Sequence, residues 1–299
     1  MTGASGFIGR HTIPYLLKNG CEVHALFRDH EPEIKDRKGL LWHKCDILDP
    51  AARERLCDEI KASHLLHFAW CTAPGEYWTS PENMKWEQAS LDLVMKFADN
   101  GGKRAVIAGT CAEYDWGHGY CSEEGTPLNP ASLYGACKCG LENSVRQFSA
   151  EAGLSYAWGR IFYVYGPYEN PERLIPSVIR ALQEKRVACC THGDQVRDFL
   201  HVEDVASAFV SLLLSDVDGP VNIASGQPVK LREVVLAVAD HFGAGDKVEF
   251  GVVPAPEKEA ELIVSGSTRL ADEVGWRPKY DLGSGIAQTV RYWQEKTHK

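Results

Sequence analysis

Short apolar runs alternate with amphipathic segments of helix length through the first half of the chain. Helix start signals precede two of these segments, at Asp49-Pro50 and at Pro81, and Asn100-Gly101-Gly102 is a stop signal. An alternation of strands and helices is typical of a parallel sheet covered by helices on both faces, so the pattern predicts an α/β fold. The predicted strands are residues 22–27, 40–43, 65–69, 105–108 and 156–161.

The pattern changes after Gly166-Pro167. Helical segments at 174–184 and 231–242 are mixed with short strand-like runs and prolines. We therefore predict two domains, one of residues 1–166 and a smaller one of residues 167–299, with part of 196–225 packing back onto the first. Ligands of such sheets bind at the carboxyl ends of the strands, so the cleft between the domains is the predicted site.

Composition argues against several classes of protein. The net charge of -9 comes without a basic stripe, which argues against nucleic acid as a partner. No apolar run approaches the length of a bilayer span and no signal peptide precedes the first glycines, so we expect no membrane association. The ten cysteines are scattered without zinc-ligand spacing. We expect reduced thiols, a cytoplasmic location and no metal site.

A tyrosine and a lysine lie four residues apart at the head of a predicted helix that runs from Pro130 to about Glu151. Positions i and i+4 share one face of a helix, so Tyr134 and Lys138 should project together. A phenol titrates near about 10, and a neighbouring ammonium lowers that pKa by favouring the phenolate. Such a pair suits general acid/base work on an alcohol–ketone couple. The same spacing also arises by chance on exposed helices, so the pair needs support from elsewhere.

Support lies at the N-terminus. The segment Thr2–Gly9 carries glycines at positions 3, 6 and 9 and leads into a helical run through Leu17. Such glycines allow a tight turn and a close approach of the backbone to a pyrophosphate at the helix N-terminus. A glycine triplet alone is equally compatible with a flexible leader, but here a strand-like run follows the helix.

With both motifs present, the chain resembles the extended short-chain dehydrogenase/reductase family, in particular its nucleotide-sugar epimerase, dehydratase and reductase branch. The resemblance covers nearly all 299 residues. It implies a Rossmann-type doubly wound parallel sheet, which binds the dinucleotide, and a smaller C-terminal α/β substrate-binding lobe. It also implies that Thr110, Tyr134 and Lys138 are catalytic, since Thr110 lies at the family's distance upstream of the tyrosine.

The resemblance gives each catalytic residue a role. Thr110 would hold the substrate oxygen, and Tyr134 would give or take its proton. Lys138 would bind the nicotinamide ribose and keep Tyr134 acidic. The hydride would pass between the nicotinamide and the carbon that bears this oxygen. The alternative for Thr110 is an ordinary hydroxyl at a strand end.

The resemblance also implies the cofactor contacts. NAD-binding members carry a carboxylate at the end of the second strand, where this chain has Phe27 and then Arg28. A guanidinium suits a 2′-phosphate, so NADP is favoured, with NAD as the alternative because Asp29 lies next to Arg28. His67 is interpreted as a packed histidine. The implied cofactor-binding residues are Gly3, Ser5, Gly6, Phe7, Ile8, Gly9, Arg28, Asp46, Ile47, Phe68, Ala69, Tyr134 and Lys138.

Departures from the family's motifs favour one reaction. Sugar 4,6-dehydratases carry an Asp-Glu pair directly after the catalytic threonine, where this chain has Cys111 and Ala112. Neither side chain does that acid/base work, which argues against dehydration. Epimerases similar to UDP-galactose 4-epimerase commonly have an asparagine where this chain has Tyr163. With Arg28, these changes favour a net reduction.

The second domain indicates the class of substrate. The segment 195–204 closely resembles the R-D-F-x-x-V-x-D element of sugar-nucleotide enzymes, and residues 222–226 and 270–278 also match that branch. Arg197 is the predicted diphosphate contact, with pairing to Asp198 or Glu203 as the structural alternative. Tyr77 and Trp78 either wall the sugar site or pack beneath the second lobe. The predicted substrate-binding residues are Trp70, Thr110, Tyr163 and Arg197.

Our leading hypothesis is an NAD(P)H-dependent reductase of a nucleotide-activated 4-keto-6-deoxy sugar, whose substrate partner is a nucleotide-diphosphate sugar. The alternatives are a nucleotide-sugar epimerase with tightly bound NAD, a reductase of non-sugar ketones, and a non-catalytic dinucleotide-binding redox sensor.

Two further expectations follow from the resemblance. Family members begin with a short apolar strand at the centre of the sheet, whereas only Met1 and Thr2 precede Gly3 here. We therefore expect the true start to lie upstream of Met1. The helices predicted at residues 81–99 and 130–151 pair across a dimer in similar proteins, so we expect a homodimer.

Overall fold

A computed structural model describes residues 1–29, 32, 34, 38–255 and 259–297. Its helices are α1 Phe7–Lys18, α2 Pro50–Ile60, α3 Glu82–Asp99, α4 Leu133–Ala152, α5 Leu174–Gln183, α6 Val202–Leu213, α7 Leu231–Asp240, α8 Arg269–Asp272 and α9 Leu282–Thr297. Its strands are β1 Val23–Phe27, β2 Leu40–Lys44, β3 His64–His67, β4 Arg104–Thr110, β5 Tyr120–Cys121, β6 Ser155–Ile161, β7 Tyr163–Tyr165, β8 Ala188–Cys190, β9 Val196–His201, β10 Gly219–Ile223, β11 Pro228–Lys230, β12 Val248–Phe250 and β13 Leu262–Ser265.

The first sheet is parallel throughout. Its strands lie in the orders β2-β1 and β3-β4-β6-β10. All seven residues of β4 are buried, as expected of a parallel strand with both faces covered. The two parts of the sheet meet at the first two residues of the chain.

Met1 and Thr2 lie between β1 and β3. Thr2 forms an isolated parallel bridge with His67, its amide donates to Leu66 O at 3.0 Å, and Met1 O accepts the amide of Leu26 at 2.9 Å. A small apolar cavity of about 50 Å³ lies beside Met1, between β1, β3 and the helices α2 and α3.

Helices cover both faces of this sheet. On one face α1 and α6 bury Ile13, Leu16 and Phe209 against the strands. On the other, α3 and α4 bury Val94 and Leu141 with their neighbours. The predicted doubly wound, Rossmann-type α/β fold is confirmed.

Five of the remaining strands form a second sheet, in the order β11-β9-β13-β5 with β7 also paired to β9. The other two, β8 and β12, form a separate pair. Helices α5, α7 and α9 share one apolar core with them. Because β10 pairs with β6 while β5 pairs with β13, the chain crosses between the two sheets more than once. The domain division at residues 166 and 167 stays a prediction.

Some predicted element ends were wrong. The helix expected from Pro130 begins at Leu133, because the Ser132 side chain accepts the Gly135 amide and caps it there. The strand expected to reach Ala69 ends at His67. Asp49 caps α2 as predicted, accepting the amide of Ala51 at 2.9 Å. Within the described residues, the helices are too short or too polar to cross a bilayer.

Candidate active site

Helix α4 carries two of the three predicted catalytic side chains. Its Ser132 cap places Tyr134 in the first turn and Lys138 one turn later. Trp70, which follows β3, contacts both: its ring centroid lies 6.3 Å from that of Tyr134 and 3.7 Å from Lys138 Nζ. The structure therefore brings the phenol and the amine to the same side of the helix.

Thr110 ends β4 and faces the same site. Its hydroxyl accepts the amide of Ala112 at 3.2 Å and lies near enough to the Tyr134 phenol to act on its pKa. Thr110 and Glu113 form a capping box on the 3-10 turn Cys111–Glu113. The Thr110 hydroxyl caps the turn, and the Glu113 carboxylate accepts the Thr110 amide at 2.8 Å. A two-sided cap of this kind fixes the threonine at the carboxyl end of the strand.

The Tyr134 phenol is enclosed by aromatic rings. Tyr77 and Trp78 lie 5.0 and 5.9 Å from its ring, both nearly perpendicular to it. Burial raises the pKa of Tyr134, and the hydrogen bond from Thr110 lowers it in part. The net direction is opposite to the lowering expected from the sequence, because burial dominates and keeps the phenol protonated in the free enzyme; the effect of Lys138 on the phenol stays a prediction.

The Lys138 amine has partners other than the phenol in this structure. Its ammonium donates to Ala108 O at 2.8 Å and lies over the face of Trp70. Burial lowers the pKa of Lys138 to about 7, and the Glu113 carboxylate acts in the opposite direction.

The glycines at the N-terminus form a turn that larger residues would not fit. Gly3 has a φ of +63°, and a Cβ there would lie 2.8 Å from the amide nitrogen of Ala69. A Cβ on Gly9 would collide with the carbonyl oxygen of Gly3. The turn therefore brings bare backbone to the start of α1, as binding of a pyrophosphate requires.

A cavity of about 540 Å³ lies over this turn. It extends from the glycines past β1 to Trp70 and Trp86. Its size and its backbone-lined floor fit a dinucleotide. Among the predicted cofactor and substrate residues, those that line it are Gly3, Ser5, Gly6, Arg28, Asp46, Ile47, Ala69 and Trp70.

Other predicted cofactor residues are placed in the protein core or beside it. Ile8 packs against the core beneath α1. The ring centroid of Phe68 lies 4.8 Å from that of Phe209, and the ring centroid of Phe7 lies 6.4 Å from that of His11. His67 is packed as interpreted: its ring nitrogens are 2.7 Å from Thr2 Oγ1 and 2.9 Å from Ser90 Oγ. Burial lowers the pKa of His67 to about 3.

Arg197 has partners other than those considered from the sequence. Its Nη2 lies 3.0 Å from a Glu259 oxygen, its Nη1 donates to Val196 O at 2.9 Å, and its guanidinium lies 5.4 Å from the Tyr163 ring. Asp198 instead accepts amides from the 225–226 turn, and Glu203 accepts the Tyr280 hydroxyl. Pairing with Asp198 or Glu203 was therefore wrong, and the diphosphate contact stays a prediction.

The aromatic segment packs on the predicted catalytic tyrosine. Tyr77 and Trp78 lie against Tyr134. Arg173 of the predicted second domain lies over Tyr77, with its guanidinium carbon 5.6 Å from that ring. A wall of the sugar site and packing against the second lobe therefore both stay predictions.

Sequence reasoning missed Glu113. Its carboxylate is fully buried and receives the Arg160 guanidinium at 2.6 Å, the Trp158 indole N–H at 3.0 Å and the Thr110 amide. The T-x-x-E spacing of Thr110 and Glu113 is the capping-box pattern and was the signal that could have found it.

All ten cysteines lie in the described residues as free thiols. In the part of the chain that the structure describes, no group of three or more metal-ligating side chains comes together.

A parallel doubly wound sheet, a bare glycine turn beneath a dinucleotide-sized cavity, and a threonine–tyrosine–lysine set at its edge define a dinucleotide-dependent enzyme. Comparison with known proteins gives the family. The model of the NAD dependent epimerase/dehydratase family matches residues 1–224, and the chain belongs to that family.

Individual relatives act on nucleotide sugars, according to their names. CDP-abequose synthase of Salmonella typhimurium is 26% identical over 97% of this chain and 96% of its own length. The dTDP-6-deoxy-L-talose 4-dehydrogenase (NAD(+)) of Aggregatibacter actinomycetemcomitans is 27% identical over 88% and 97%. The solved complex of Thermus thermophilus UDP-glucose 4-epimerase with NAD superimposes with a TM-score of 0.83, at 28% identity over 98% and 97% of the two chains. Membership of the extended short-chain dehydrogenase/reductase family and enzymatic function are thereby confirmed.

Proposed function

We propose that this protein is an NAD(P)H-dependent reductase of a nucleotide-activated 4-keto-6-deoxy sugar. The observation that carries the proposal is the Tyr134 phenol beside Thr110, with Cys111 and Ala112 in place of a second acid/base pair directly after the threonine. Cys111 and Ala112 are both buried there. A relative named as a 4-dehydrogenase of a dTDP-6-deoxy sugar supports the same chemistry, because a dehydrogenase run in reverse is a ketone reductase.

The side chains of this site suit the protein's part in such a reduction. When bound, the nicotinamide cofactor supplies the hydride. Thr110 holds the carbonyl oxygen of the substrate, and Tyr134 donates its proton to that oxygen as negative charge develops there. Lys138 then stabilises the resulting phenolate, because its ammonium is on the same face of α4.

Two observations bear on the choice of cofactor. Arg28 lines the cavity with its side chain half exposed, which suits a 2′-phosphate. Asp29 also lines the cavity and accepts the Arg28 Nε–H at 2.7 Å. We propose NADP as the preferred cofactor, with NAD as the alternative that the named relatives favour.

The test is a screen of the purified protein against nucleotide 4-keto-6-deoxy sugars with NADPH and with NADH, followed by the absorbance of the reduced nicotinamide. We expect oxidation of the cofactor with at least one of these sugars. No oxidation with any ketosugar would refute the proposal, and it would also leave the redox-sensor alternative standing.

A nucleotide-sugar epimerase is the second candidate. It is favoured by the similarity to the Thermus thermophilus epimerase along almost the whole of both chains. An epimerase regenerates its cofactor in each cycle. Retention of NAD through purification and conversion of UDP-glucose without a net change in absorbance would support this candidate over the reductase.

A further inference from the structure

The side chain of Trp70 connects the dinucleotide-sized cavity with two of the predicted catalytic residues. It lines the cavity of about 540 Å³. The Lys138 Nζ lies 3.7 Å from the centre of its ring, so the indole covers the ammonium. The Tyr134 ring lies 6.3 Å away, at 71° to the indole. One aromatic side chain therefore contacts the predicted cofactor site, the amine and the phenol.

The Lys138 ammonium depends on this indole for its position. The residue is 3% exposed, and its Nζ donates to Ala108 O at 2.8 Å. An ammonium carries three hydrogens, and burying a charge is costly unless its surroundings compensate for the lost water. The face of an indole attracts a cation, most strongly where water is excluded. Trp70 and the Ala108 carbonyl therefore fix the amine from two sides.

Trp70 is itself held in place by Asn83, near the start of α3. The indole Nε1 donates to Asn83 Oδ1 at 2.8 Å. The Asn83 amide nitrogen donates to Tyr77 O at 2.6 Å and to Ser80 O at 2.8 Å, and the residue is 1% exposed. Because these bonds use both ends of the amide, its oxygen is directed at the indole and the ring has a defined orientation over the lysine.

We propose that Trp70 is a positioning residue of the reduction, whose indole holds the Lys138 ammonium on the side of α4 that carries Tyr134. The inference rests on the proposed function, in which Lys138 stabilises the Tyr134 phenolate. Trp70 exchanges no proton and acts on the rate through the lysine. Loss of the indole should therefore lower kcat only while Lys138 is present.

A double-mutant cycle of Trp70→Leu and Lys138→Met tests this dependence. The measurement is kcat at saturating reduced cofactor and nucleotide ketosugar, so that weaker cofactor binding appears in KM instead. Trp70→Leu should lower kcat by about tenfold, the scale of a desolvated cation–π contact. In the Lys138→Met protein, followed by single-turnover absorbance, the same substitution should change the rate by less than about twofold. Trp70→Phe, which keeps an aromatic face, should retain most of kcat.

Trp276→Leu is the matched control. Trp276 is 8% exposed, and its indole N–H also donates to a side chain, at 2.9 Å from Ser207 Oγ. Its kcat should equal that of the wild type. An equal fold-loss from Trp70→Leu in both lysine backgrounds would overturn the inference, because it would show a structural role. Unchanged kcat in Trp70→Leu would overturn it as well.

The contact can also be measured without turnover, by NMR of the full chain labelled with ¹³C-lysine. The ε-CH₂ signal of Lys138, assigned by its loss in Lys138→Met, should be shifted upfield by the ring current of Trp70. The shift should persist with NADPH bound and should be reduced in Trp70→Leu. The same Lys138 signal in Trp70→Leu as in the wild type would show that the indole does not hold the amine, and it would refute the proposal.

The two proposals fail in different ways. If the wild-type protein oxidises neither NADPH nor NADH with any nucleotide ketosugar, the proposed function fails and the positioning role fails with it. If it reduces a ketosugar but the cycle gives equal losses in both backgrounds, only the role of Trp70 is refuted.

Discussion

Burial determines how Tyr134 and Lys138 are ionised in the free enzyme. It raises the pKa of the phenol and lowers the pKa of the amine to about 7. Both effects favour the neutral side chain. A neutral phenol is the form that a general acid must have before it protonates an alkoxide, as the proposed reduction requires.

Removal of the Tyr134 hydroxyl tests its role as the proton donor. Tyr134→Phe should lower turnover by at least ~10²-fold, the contribution of a general acid, because the ring remains while the proton is lost. Dinucleotide affinity should be unchanged, as measured by fluorescence titration.

Tyr120→Phe provides the control for Tyr134→Phe, since Tyr120 is 55% exposed. Its turnover should match the wild type. Unchanged turnover in Tyr134→Phe would remove the phenol from the mechanism.

His67 makes stability depend on pH. Its pKa is lowered by burial to about 3, whereas an unfolded chain binds a proton near the ordinary value of 6.5. Between these values the unfolded state binds more protons, so this residue reduces stability as pH falls below about 6.5.

Comparison of His67→Gln with the wild type isolates this effect. The free energy of unfolding of the wild type should fall relative to the variant by up to about 1.4 kcal/mol per pH unit between roughly pH 6 and 4. Urea unfolding at several pH values measures it. Parallel curves for the wild type and His67→Gln would contradict the assignment.

At the scale of elements, the turn before α1 depends on close contact between backbones. A methyl group on Gly9 would meet Gly3 O and lie 2.7 Å from the Cα of Ala4. Gly9→Ala should therefore lower the free energy of unfolding by about 1–3 kcal/mol, as overpacking does. Where the strain distorts the turn itself, dinucleotide affinity should fall by roughly 10–100-fold. Fluorescence titration and thermal unfolding measure the two effects.

Gly245→Ala is the control for the glycine turn. A Cβ at Gly245 would have no described heavy atom within 4 Å. Its dinucleotide affinity should equal that of the wild type. A Gly9→Ala variant that binds as tightly as this control would show that the turn does not form the cofactor site.

Most helices and, among the described strands, five of the six in the first sheet were predictable, because caps and periodicity are local. Asp49-Pro50 started α2 as expected, and the apolar run of β4 gave a buried strand. Local patterns did not show that β5, from the first half of the chain, pairs with β13, near its end. Strand partners depend on contacts that are distant in sequence.

At the scale of the whole molecule, the cavity joins the two parts of the first sheet. Arg28 and Asp46 line it from the β1–β2 side, and Ala69 and Trp70 line it from the β3 side. The backbone hydrogen bonds that join those parts run through Met1 and Thr2. A dinucleotide bound across the cavity should therefore stabilise the fold as a whole.

Bound NADPH should raise the free energy of unfolding by about 2.7 kcal/mol when its concentration is one hundred times its Kd. The same stabilisation should need a lower concentration of NADPH than of NADH. Thermal unfolding at graded concentrations measures this. Arg28→Gln should abolish the difference between the cofactors, while Arg55→Gln, on the exposed face of α2, should retain it. Stronger stabilisation by NADH in the wild type would refute the NADP preference.

The predicted homodimer is a further property of the whole molecule. Met84 and Met95 of α3 are 62% and 49% exposed, and their spacing of three turns puts them on one face. We expect Met84→Glu combined with Met95→Glu to convert the dimer to a monomer in sedimentation velocity. Leu236→Glu, at a 39% exposed position of α7, should leave the dimer intact. A monomeric wild type would refute this prediction.

The sequence by itself determined the α/β class and the glycine turn and singled out the candidate threonine, tyrosine and lysine, because these depend on local spacing and on residues with few conformational alternatives. The tertiary structure decided the partners. Arg197 holds Glu259, Lys138 lies over Trp70, and Glu113 supports Thr110 from beneath. Each of these contacts joins side chains whose meeting depends on how the strands are ordered, and burial there sets the protonation that the chemistry requires.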